Sequence, residues 1–313
     1  MGGSMTTFMY SHPACIEHDP GEYHPERPDR LRAVMAGLED DAFKHLERHE
    51  APIVDLAQVK LVHDAEYVDM IMDSVPSEGR VRLDPDTVMS TKSGEATQRA
   101  AGAGIAAVDA VVAKQAQNAF CAVRPPGHHA ESSQAMGFCL FNSAAAAAFH
   151  ARAKHGMDRV CVLDFDVHHG NGTQHSFEAV EGMFYASSHQ FPAYPGTGSR
   201  SEKGAFNNVC NVPLAPGAGS AEFRRGYKEV MIPAIRAFQP ELLIISAGFD
   251  AHKNDPLAQL ELETEDYRWV TDELLDLADE VCDGRVVSML EGGYDLDALR
   301  DSVVELVKSL MEH

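Results

Sequence analysis

The chain has 313 residues, of which 44% are hydrophobic and 24% are charged. This composition is ordinary for a globular protein and excludes fibrous, collagen-like and disordered classes. No apolar run approaches the roughly 20 residues that cross a bilayer, and the N-terminus lacks a secretory signal pattern. We therefore expect a soluble, cytoplasmic protein with no membrane partner. Its six cysteines show no CxxC spacing, which is typical of reduced thiols.

The charge balance is strongly acidic, with 26 Lys and Arg residues against 48 Asp and Glu residues and a formal net charge of −22. Affinity for nucleic acids comes largely from Lys and Arg on phosphates, so we expect no nucleic-acid partner. An acidic surface favours a cationic substrate, although the same charge is equally consistent with simple solubility. The sequence does not indicate the oligomeric state.

One domain is predicted over residues 5–313, because no repeat or low-complexity linker divides them. Residues 1–4, Met-Gly-Gly-Ser, are interpreted as a cloning remnant. Apolar β-branched runs alternate with helical patterns, which is typical of an α/β parallel sheet covered by helices on both faces. In chain order we predict a surface loop at 83–93, then a helix at 94–114, a strand at 119–123, a helix at 143–155, strands at 160–165 and 183–187, a helix at 220–238, a strand at 242–246, a helix at 264–282, a strand at 286–290 and a helix at 296–311.

Polar clusters follow four of these predicted strands directly. They are Arg-Pro-Pro-Gly-His-His at 124–129, Asp-Val-His-His-Gly-Asn-Gly at 166–172, Gly-Phe-Asp at 248–250 and Glu-Gly-Gly-Tyr at 291–294. Sites in open parallel sheets form at the carboxyl ends of the strands. We therefore expect the four clusters to meet at one edge of the sheet.

A metal site is predicted where the second and third clusters meet. Side chains alternate along a strand, so Asp164, Asp166 and His168 point to the same side, and the last two can chelate one ion. Asp250 would complete a site of two carboxylates and one imidazole with room for water, which is typical of a catalytic metal. Zinc suits this set, and ferrous iron, cobalt and manganese are also compatible with it.

The histidine pair and the tyrosine supply candidate groups for proton transfer. His128 and His129 follow a stiff Pro-Pro-Gly turn and are interpreted as a general acid/base pair. Asp164 and Asn171 are available to orient them, and the different partners predict different pKa values for the two histidines. Tyr294 can donate a hydrogen bond to the oxyanion of a tetrahedral intermediate.

Taken together, these motifs resemble the zinc-dependent deacetylase family of histone deacetylases, acetylpolyamine amidohydrolases and acetoin-utilisation proteins. His-His-Gly-Asn-Gly-Thr at 168–173, Glu-Gly-Gly-Tyr at 291–294 and His-Pro-Glu-Arg-Pro-Asp-Arg-Leu at 24–31 most resemble the class II-like branch, which includes bacterial histone deacetylase-like amidohydrolases. The resemblance implies the arginase/deacetylase fold, with a single parallel sheet of about eight strands wrapped by helices. It also implies hydrolysis of an N-acyl amine.

The resemblance further implies a role for each matching residue. Zinc would be bound by Asp166, His168 and Asp250. His129 would act as base and then as acid, His128 as its electrostatic partner bonded to Asp164, and Tyr294 as the oxyanion donor. A potassium ion would lie beside the zinc at Asp164, Asp166, His168, Ser187 and Ser188, with a second, weaker one near Phe177. The acyl tunnel would be lined by Phe138 and Tyr194, with Gly137 accepting the scissile amide N–H and Asp86 binding the substrate backbone.

The substrate is either an acylated lysine peptide or a small acetylated amine. Acetylpolyamine-specific members carry a Glu at the tunnel rim, and Leu257 matches that position, which favours acyl-lysine. Two features keep the polyamine alternative open. One is the negative charge, and the other is a partial similarity of residues 13–17 to an insertion found in one branch of polyamine deacetylases. An inactive binding module is disfavoured because every ligand and catalytic residue is present. A ureohydrolase would need a two-metal cluster near His128, and the sequence offers no further ligands for one.

Overall fold

The computed structural model describes residues 6–313, so the predicted remnant at 1–4 lies outside the described residues. The strands are β1 (Thr7–Ser11), β2 (Glu47–Glu50), β3 (Arg80–Arg82), β4 (Val88–Ser90), β5 (Asn118–Cys121), β6 (Val160–Asp164), β7 (Met183–Gln190), β8 (Val209–Leu214), β9 (Leu242–Ala247) and β10 (Val286–Leu290). An eight-stranded sheet has the order β2-β1-β5-β10-β9-β6-β7-β8, and β3 pairs with β4 in a separate hairpin. Every neighbouring pair in the large sheet is parallel. The predicted α/β parallel sheet is confirmed.

Helices connect these strands and cover the sheet. They are α1 (Ala14–Glu17), α2 (Asp29–Gly37), α3 (Leu56–Val59), α4 (Ala65–Asp73), α5 (Ser93–Val112), α6 (Ser143–His155), α7 (Asn171–Phe177), α8 (Ser220–Gly226), α9 (Ile232–Phe238), α10 (Thr264–Cys282) and α11 (Leu296–Glu312). One group consists of α5 packed on α6, and another of α10 and α2 packed on α11. All residues of β5, β6, β9 and β10 are buried, as expected for parallel strands covered on both faces.

The start and end of α6 are set by its flanking residues. Asn142 Oδ1 accepts a hydrogen bond from Ala145 N at 3.0 Å, and Gly156 ends the helix with a φ of 66°. An asparagine cap and a left-handed glycine are the expected signals for these two positions. The five alanines between them are buried, so the backbone of α6 lies close to its neighbours. The predicted bounds of this helix are confirmed.

The predicted helix at 220–238 is interrupted by a π-helical segment, Tyr227–Met231, between α8 and α9. Pro233 lies in the first turn of α9 and has no backbone N–H. It therefore cannot form the regular hydrogen bond to the preceding turn, and single π turns are one way in which a helix adapts to such a gap.

Three strands of the large sheet were not recognised from the sequence, namely β1, β2 and β8. Strand β2 reads Glu-Arg-His-Glu and is largely exposed at the sheet edge, so it has no apolar pattern. Strand β8 contains Pro213, which is compatible with an edge position. The surface loop predicted at 83–93 is wrong in part, because β4 pairs with β3 and Met89 is fully buried.

Within residues 6–313, no helix is both long and apolar enough to cross a membrane.

Candidate active site

The four polar clusters meet at the carboxyl edge of the large sheet. Strands β5, β10, β9 and β6 are consecutive neighbours in the sheet, and one cluster follows each of them. Their loops contact directly: Val167 N donates to Asp250 Oδ1 at 2.9 Å, and Gly292 N donates to Asp166 Oδ2 at 2.8 Å. The sheet order therefore assembles one site from segments that are far apart in the chain.

The predicted metal ligands form one compact group. His168 Nδ1 lies 3.1 Å from both Asp166 Oδ1 and Asp250 Oδ2, and the three ligand atoms all lie within 4.8 Å of one another. An ion at the usual bond length of about 2.0–2.2 Å fits between donors spaced in this way. Asp166 and Asp250 are each only 1% exposed, and two buried neighbouring carboxylates need a nearby cation. The donor set fits zinc.

Two glycines leave the space in which these carboxylates lie. A Cβ built on Gly292 would meet the carboxylates of Asp166 and Asp250, and one built on Gly248 would also meet Asp166. Any larger residue at either position would displace the predicted ligands. The sequence indicates no role for these glycines, because only the fold brings them against the carboxylates.

His128 is paired with a buried carboxylate. Its Nδ1–H donates to Asp164 Oδ2 at 2.9 Å, and its Nε2 lies 3.8 Å from Asp166 Oδ1. Burial alone would lower the pKa of His128, but the charges of Asp164 and Asp166 outweigh it and raise the pKa well above its ordinary value. This imidazole is therefore suited to carry a positive charge beneath the site.

His129 has a neutral amide as its partner. Its Nδ1 lies 2.7 Å from Asn171 Oδ1, while Asn171 Nδ2 donates to the Glu131 carboxylate, which fixes the amide orientation. His129 must then donate from Nδ1, so its lone pair is on Nε2. Burial, together with the neighbouring His128 and His168, lowers the pKa of His129 well below its ordinary value. The two histidines differ in pKa in the direction that an Asp and an Asn partner predict.

Tyr294 is positioned by a hydrogen bond from its backbone and by a cation–π contact with its ring. Its N–H donates to Asp255 Oδ2 at 2.7 Å, and the guanidinium of Arg30 lies 4.8 Å from the ring centroid. Burial raises the pKa of the Tyr294 phenol well above its ordinary value, which Arg30 only partly offsets. The phenol is therefore a protonated donor at neutral pH.

A narrow cavity of about 180 Å³ leads to these groups. The ring of Tyr194 lies edge-on to His129 and His168, with centroids 5.2 Å and 6.2 Å apart, and Phe138 lies edge-on to Tyr294 at 5.9 Å. The cavity is lined by Asp86, His129, Gly137, Phe138, His168, Tyr194, Leu257 and Tyr294. Every residue predicted for the substrate side lies on its wall, and their roles stay predictions.

The backbone of the wall is strained at Phe138. Gly137 has a φ of 55° and Phe138 a φ of 70°. Glycine adopts this conformation freely, whereas any other residue adopts it at a cost of roughly 1–3 kcal/mol. Asp86 Oδ1 accepts from Gly137 N at 3.1 Å, and Thr87 Oγ1 accepts from Phe138 N at 3.1 Å. Asp86 therefore holds the aromatic wall in place, a contact that the sequence did not indicate.

The residues predicted to bind potassium lie around the end of β6. Asp164 pairs with Ser187 across the parallel strands, and Asp164 Oδ1 accepts from Asp166 N at 3.1 Å. Ser187 Oγ contacts His189 Nδ1 at 2.8 Å, while Ser188 Oγ lies 3.2 Å from Tyr227 OH. The predicted set is brought together, and potassium binding stays a prediction.

Two further groups support the histidine pair, and neither role was predicted from the sequence. Glu291 Oε2 accepts from Gly127 N at 2.7 Å and from His128 N at 3.2 Å, which fixes the backbone of the turn. Tyr185 OH donates to Asp164 Oδ2 at 3.0 Å and accepts from Gly170 N at 2.9 Å. Glu291 is part of a recognisable motif, whereas Tyr185 lies within an ordinary buried strand and carries no sequence signal.

Known proteins resemble this chain along nearly its whole length. Residues 24–310 match the profile of the histone deacetylase domain. Histone deacetylase 14, chloroplastic, of Arabidopsis thaliana is 37% identical over 97% of this chain and 76% of its own. The histone deacetylase-like amidohydrolase of Pseudomonas aeruginosa is 37% identical over 87% of this chain and 72% of its own.

A solved structure has the same fold. The crystal structure of the HDA15 HD domain superposes with a TM-score of 0.93 at 34% identity, covering 99% of this chain and 89% of that one. The predicted arginase/deacetylase fold is thereby confirmed. With this fold and a profile match over 24–310, the chain belongs to the histone deacetylase family, whose members are zinc-dependent hydrolases.

Proposed function

We propose that this chain hydrolyses the Nε-acyl bond of acetylated lysine side chains in peptides or proteins. The main support is the arrangement of His129, His168 and Tyr294 in one narrow cavity with aromatic walls. Such a cavity fits an extended aliphatic chain that ends in a small polar group. The apolar rim residue Leu257 adds no charge with which a second ammonium could pair.

A divalent ion held by Asp166, His168 and Asp250 would polarise the scissile carbonyl and acidify the attacking water. Side chains of this protein would transfer the protons and stabilise the oxyanion. His129, with its lone pair on Nε2, accepts the proton of the water and then gives it to the leaving amine. Tyr294 donates to the developing oxyanion, and His128 supplies positive charge below the reacting atoms.

The residues that line the cavity orient the substrate in this proposal. Phe138 and Tyr194 pack on the lysine methylenes, Gly137 O accepts the scissile amide N–H, and Asp86 accepts a hydrogen bond from the substrate backbone. Burial of the aliphatic stem between two rings would contribute roughly 0.8 kcal/mol for each buried CH₂. The binding energy then comes from the stem, whereas specificity comes from the polar contacts at its two ends.

A potassium ion beside the metal site is part of this proposal. Asp164 would bind it with Ser187, which lies opposite on the neighbouring strand, and with Ser188. Its charge would help to balance the cluster of buried carboxylates at the ends of β6 and β9. The second potassium near Phe177, the single-domain boundaries at 5–313 and the cytoplasmic location stay predictions.

The polyamine alternative is favoured by the net charge of −22. A comparison of kcat/KM for an acetyl-lysine peptide and for N-acetylputrescine, with zinc-loaded and chelator-stripped protein, separates the two. We expect a higher kcat/KM for the peptide with zinc-loaded protein, and we expect this preference to be lost when the metal is stripped. A preference for N-acetylputrescine would overturn the lysine assignment while leaving the amidohydrolase chemistry intact.

Two rim variants sharpen this comparison. Leu257→Glu should shift the preference towards N-acetylputrescine, because it adds a carboxylate where polyamine-specific relatives carry one. Leu257→Ala changes the size of the rim without adding charge and serves as the matched control. An equal shift in both variants would mean that rim charge does not determine the substrate.

A further inference from the structure

A second cluster of histidine and carboxylate side chains lies at the far ends of α5 and α6. Asp109 is in the last turn of α5, while His150 and His155 are in the second half of α6. Helix α6 begins beside the active-site loops, where Asn142 Nδ2 donates to Thr173 Oγ1 at 3.0 Å. At about 1.5 Å per residue, its last residue lies roughly 18 Å from that start. This cluster is therefore separate from the catalytic one.

The three side chains converge on one point. Asp109 Oδ1 lies 2.8 Å from His150 Nε2 and 2.6 Å from His155 Nε2, and the three ligand atoms lie within 4.8 Å of one another. Tetrahedral zinc, with bonds of about 2.1 Å, needs donors about 3.4 Å apart. Small rotations of the side chains would open that space, with a fourth position left for water.

The surroundings orient these groups as metal ligands. His150 Nδ1 lies 3.0 Å from the side-chain amide of Gln58, which by rotation can present its oxygen and accept Nδ1–H. A ligating histidine normally donates its other ring N–H in this way. Lys154 Nζ lies 2.8 Å from Asp109 Oδ2, so the other oxygen, Oδ1, is the one that would bind an ion.

Exposure also suits an ion that enters from solvent. The side chain of His150 is 3% exposed, whereas those of His155 and Asp109 are 19% and 35% exposed. The cluster thus combines one buried anchor with an open side.

We propose that Asp109, His150 and His155 bind a second divalent ion of the zinc class, which clamps the end of α5 to the end of α6. Two imidazoles and one carboxylate favour zinc, cobalt or nickel over magnesium or calcium, which prefer all-oxygen sites. The ion would hold the two helices together rather than take part in catalysis, because its ligands lie at the ends of α5 and α6 that are remote from the active-site loops. The competing explanation is a cluster without metal, in which both imidazoles donate Nε2–H to Asp109.

Metal content separates these two explanations. Tag-free protein is stripped with chelator, incubated with Zn²⁺, desalted and analysed for zinc per chain. We expect two ions in the wild type, one in His155→Ala, one in His168→Ala and none in the double variant. A single ion in the wild type, or two in His155→Ala, would overturn the proposal. If His168→Ala does not fold, the comparison of wild type with His155→Ala still decides.

A thermal measurement tests the clamp itself. In the His168→Ala background, Zn²⁺ should raise Tm, and adding His155→Ala should abolish that rise, because only binding to the folded state shifts the equilibrium. His175→Ala is the matched control, since His175 is a surface histidine whose ring lies 2.8 Å from the Glu131 carboxylate and belongs to neither proposed ligand set. It should keep both ions. Loss of one ion in this control, or a Tm rise that survives His155→Ala, would refute the site.

Discussion

Gly292→Ala tests the metal site without removing any ligand. The φ of Gly292 lies outside the left-handed region, so alanine meets no backbone strain there. The substitution therefore probes only the space that the glycine leaves beside the carboxylates of Asp166 and Asp250. It removes no donor, because the hydrogen bond to Asp166 Oδ2 comes from the backbone N–H of residue 292.

The expected size of the effect follows from the distances. A Cβ on Gly292 would lie 2.5 Å from Asp166 Oδ2 and closer still to Asp250 Oδ2, and ordinary contacts begin at 3.4 Å. The two carboxylates must therefore retreat by at least about 0.9 Å, whereas metal sites tolerate about 0.2 Å. Loss of a hydrogen-bond partner of a ligand alone costs about 10–100-fold in affinity. We expect zinc affinity to fall by more than about 100-fold, because two of the three ligands move.

Competition with a chromophoric chelator measures the zinc affinity, and circular dichroism checks that the variant is folded. Gly219→Ala is the matched control, because a Cβ there would meet Glu261 O only at the ordinary distance of 3.4 Å. It should bind zinc as the wild type does. Wild-type zinc affinity in folded Gly292→Ala would refute the assignment of Asp166 and Asp250 as joint ligands.

Three further predictions follow from the contacts. Asp250→Ala should lose bound zinc and activity together. Tyr294→Phe should keep zinc, but its kcat should fall by about 10²–10³-fold, which is the range for a single oxyanion donor. Full activity in Tyr294→Phe would contradict that role. Tyr185→Phe removes a buried hydrogen bond to Asp164, so kcat should fall with little change in KM. Urea unfolding should show that the free energy of unfolding is lower by about 1–3 kcal/mol. An unchanged kcat would show that Tyr185 does not position the Asp164–His128 pair. Burial lowers the pKa of His63 to about 4, and its neutral ring accepts from Asn142 N and donates to Glu131 O. This pKa lies below the unfolded value of about 6.5. The contribution of His63 to the free energy of unfolding is therefore complete above about pH 6.5, and about 3 kcal/mol of it is lost as the pH falls to about 4. The free energy of unfolding, measured with urea at several pH values in this range, should depend less on pH in His63→Gln than in the wild type, and an equal pH dependence in the two proteins would refute the assignment.

The chemistry of the site was readable from the sequence because it is carried by short motifs at the ends of apolar strands. Asp166 and His168 are two positions apart in the loop that follows β6, which ends at Asp164, so the loop rather than strand alternation brings their side chains together. His128 and His129 are neighbours in the chain. The helix at 143–155 was equally predictable, because an Asn cap and a terminal Gly are local signals. The ends of a helix and the contacts within a short motif depend on residues that are close in the chain, so the sequence is enough to predict them.

Edge strands escaped prediction for a physical reason. Strand β2 is held in the sheet by backbone hydrogen bonds to β1, while its side chains face solvent and need no apolar pattern. The hairpin at 80–90 is similar, because pairing of β3 with β4 buries Met89 in a stretch that reads as polar turns. Pairing partners, rather than side-chain patterns, define these elements.

The sequence by itself determined which groups are available for catalysis and which of them are near neighbours along the chain. Only the tertiary structure decided which glycines border the metal ligands, since Gly292 and Asp166 are 126 positions apart and meet because β10, β9 and β6 are adjacent. The same holds for Tyr185 beside Asp164 and for Asp109 beside His155, which the pairing of strands and the packing of α5 on α6 bring together. Sheet order and helix packing are set by the burial of whole surfaces, to which every element contributes, so no local pattern encodes these contacts.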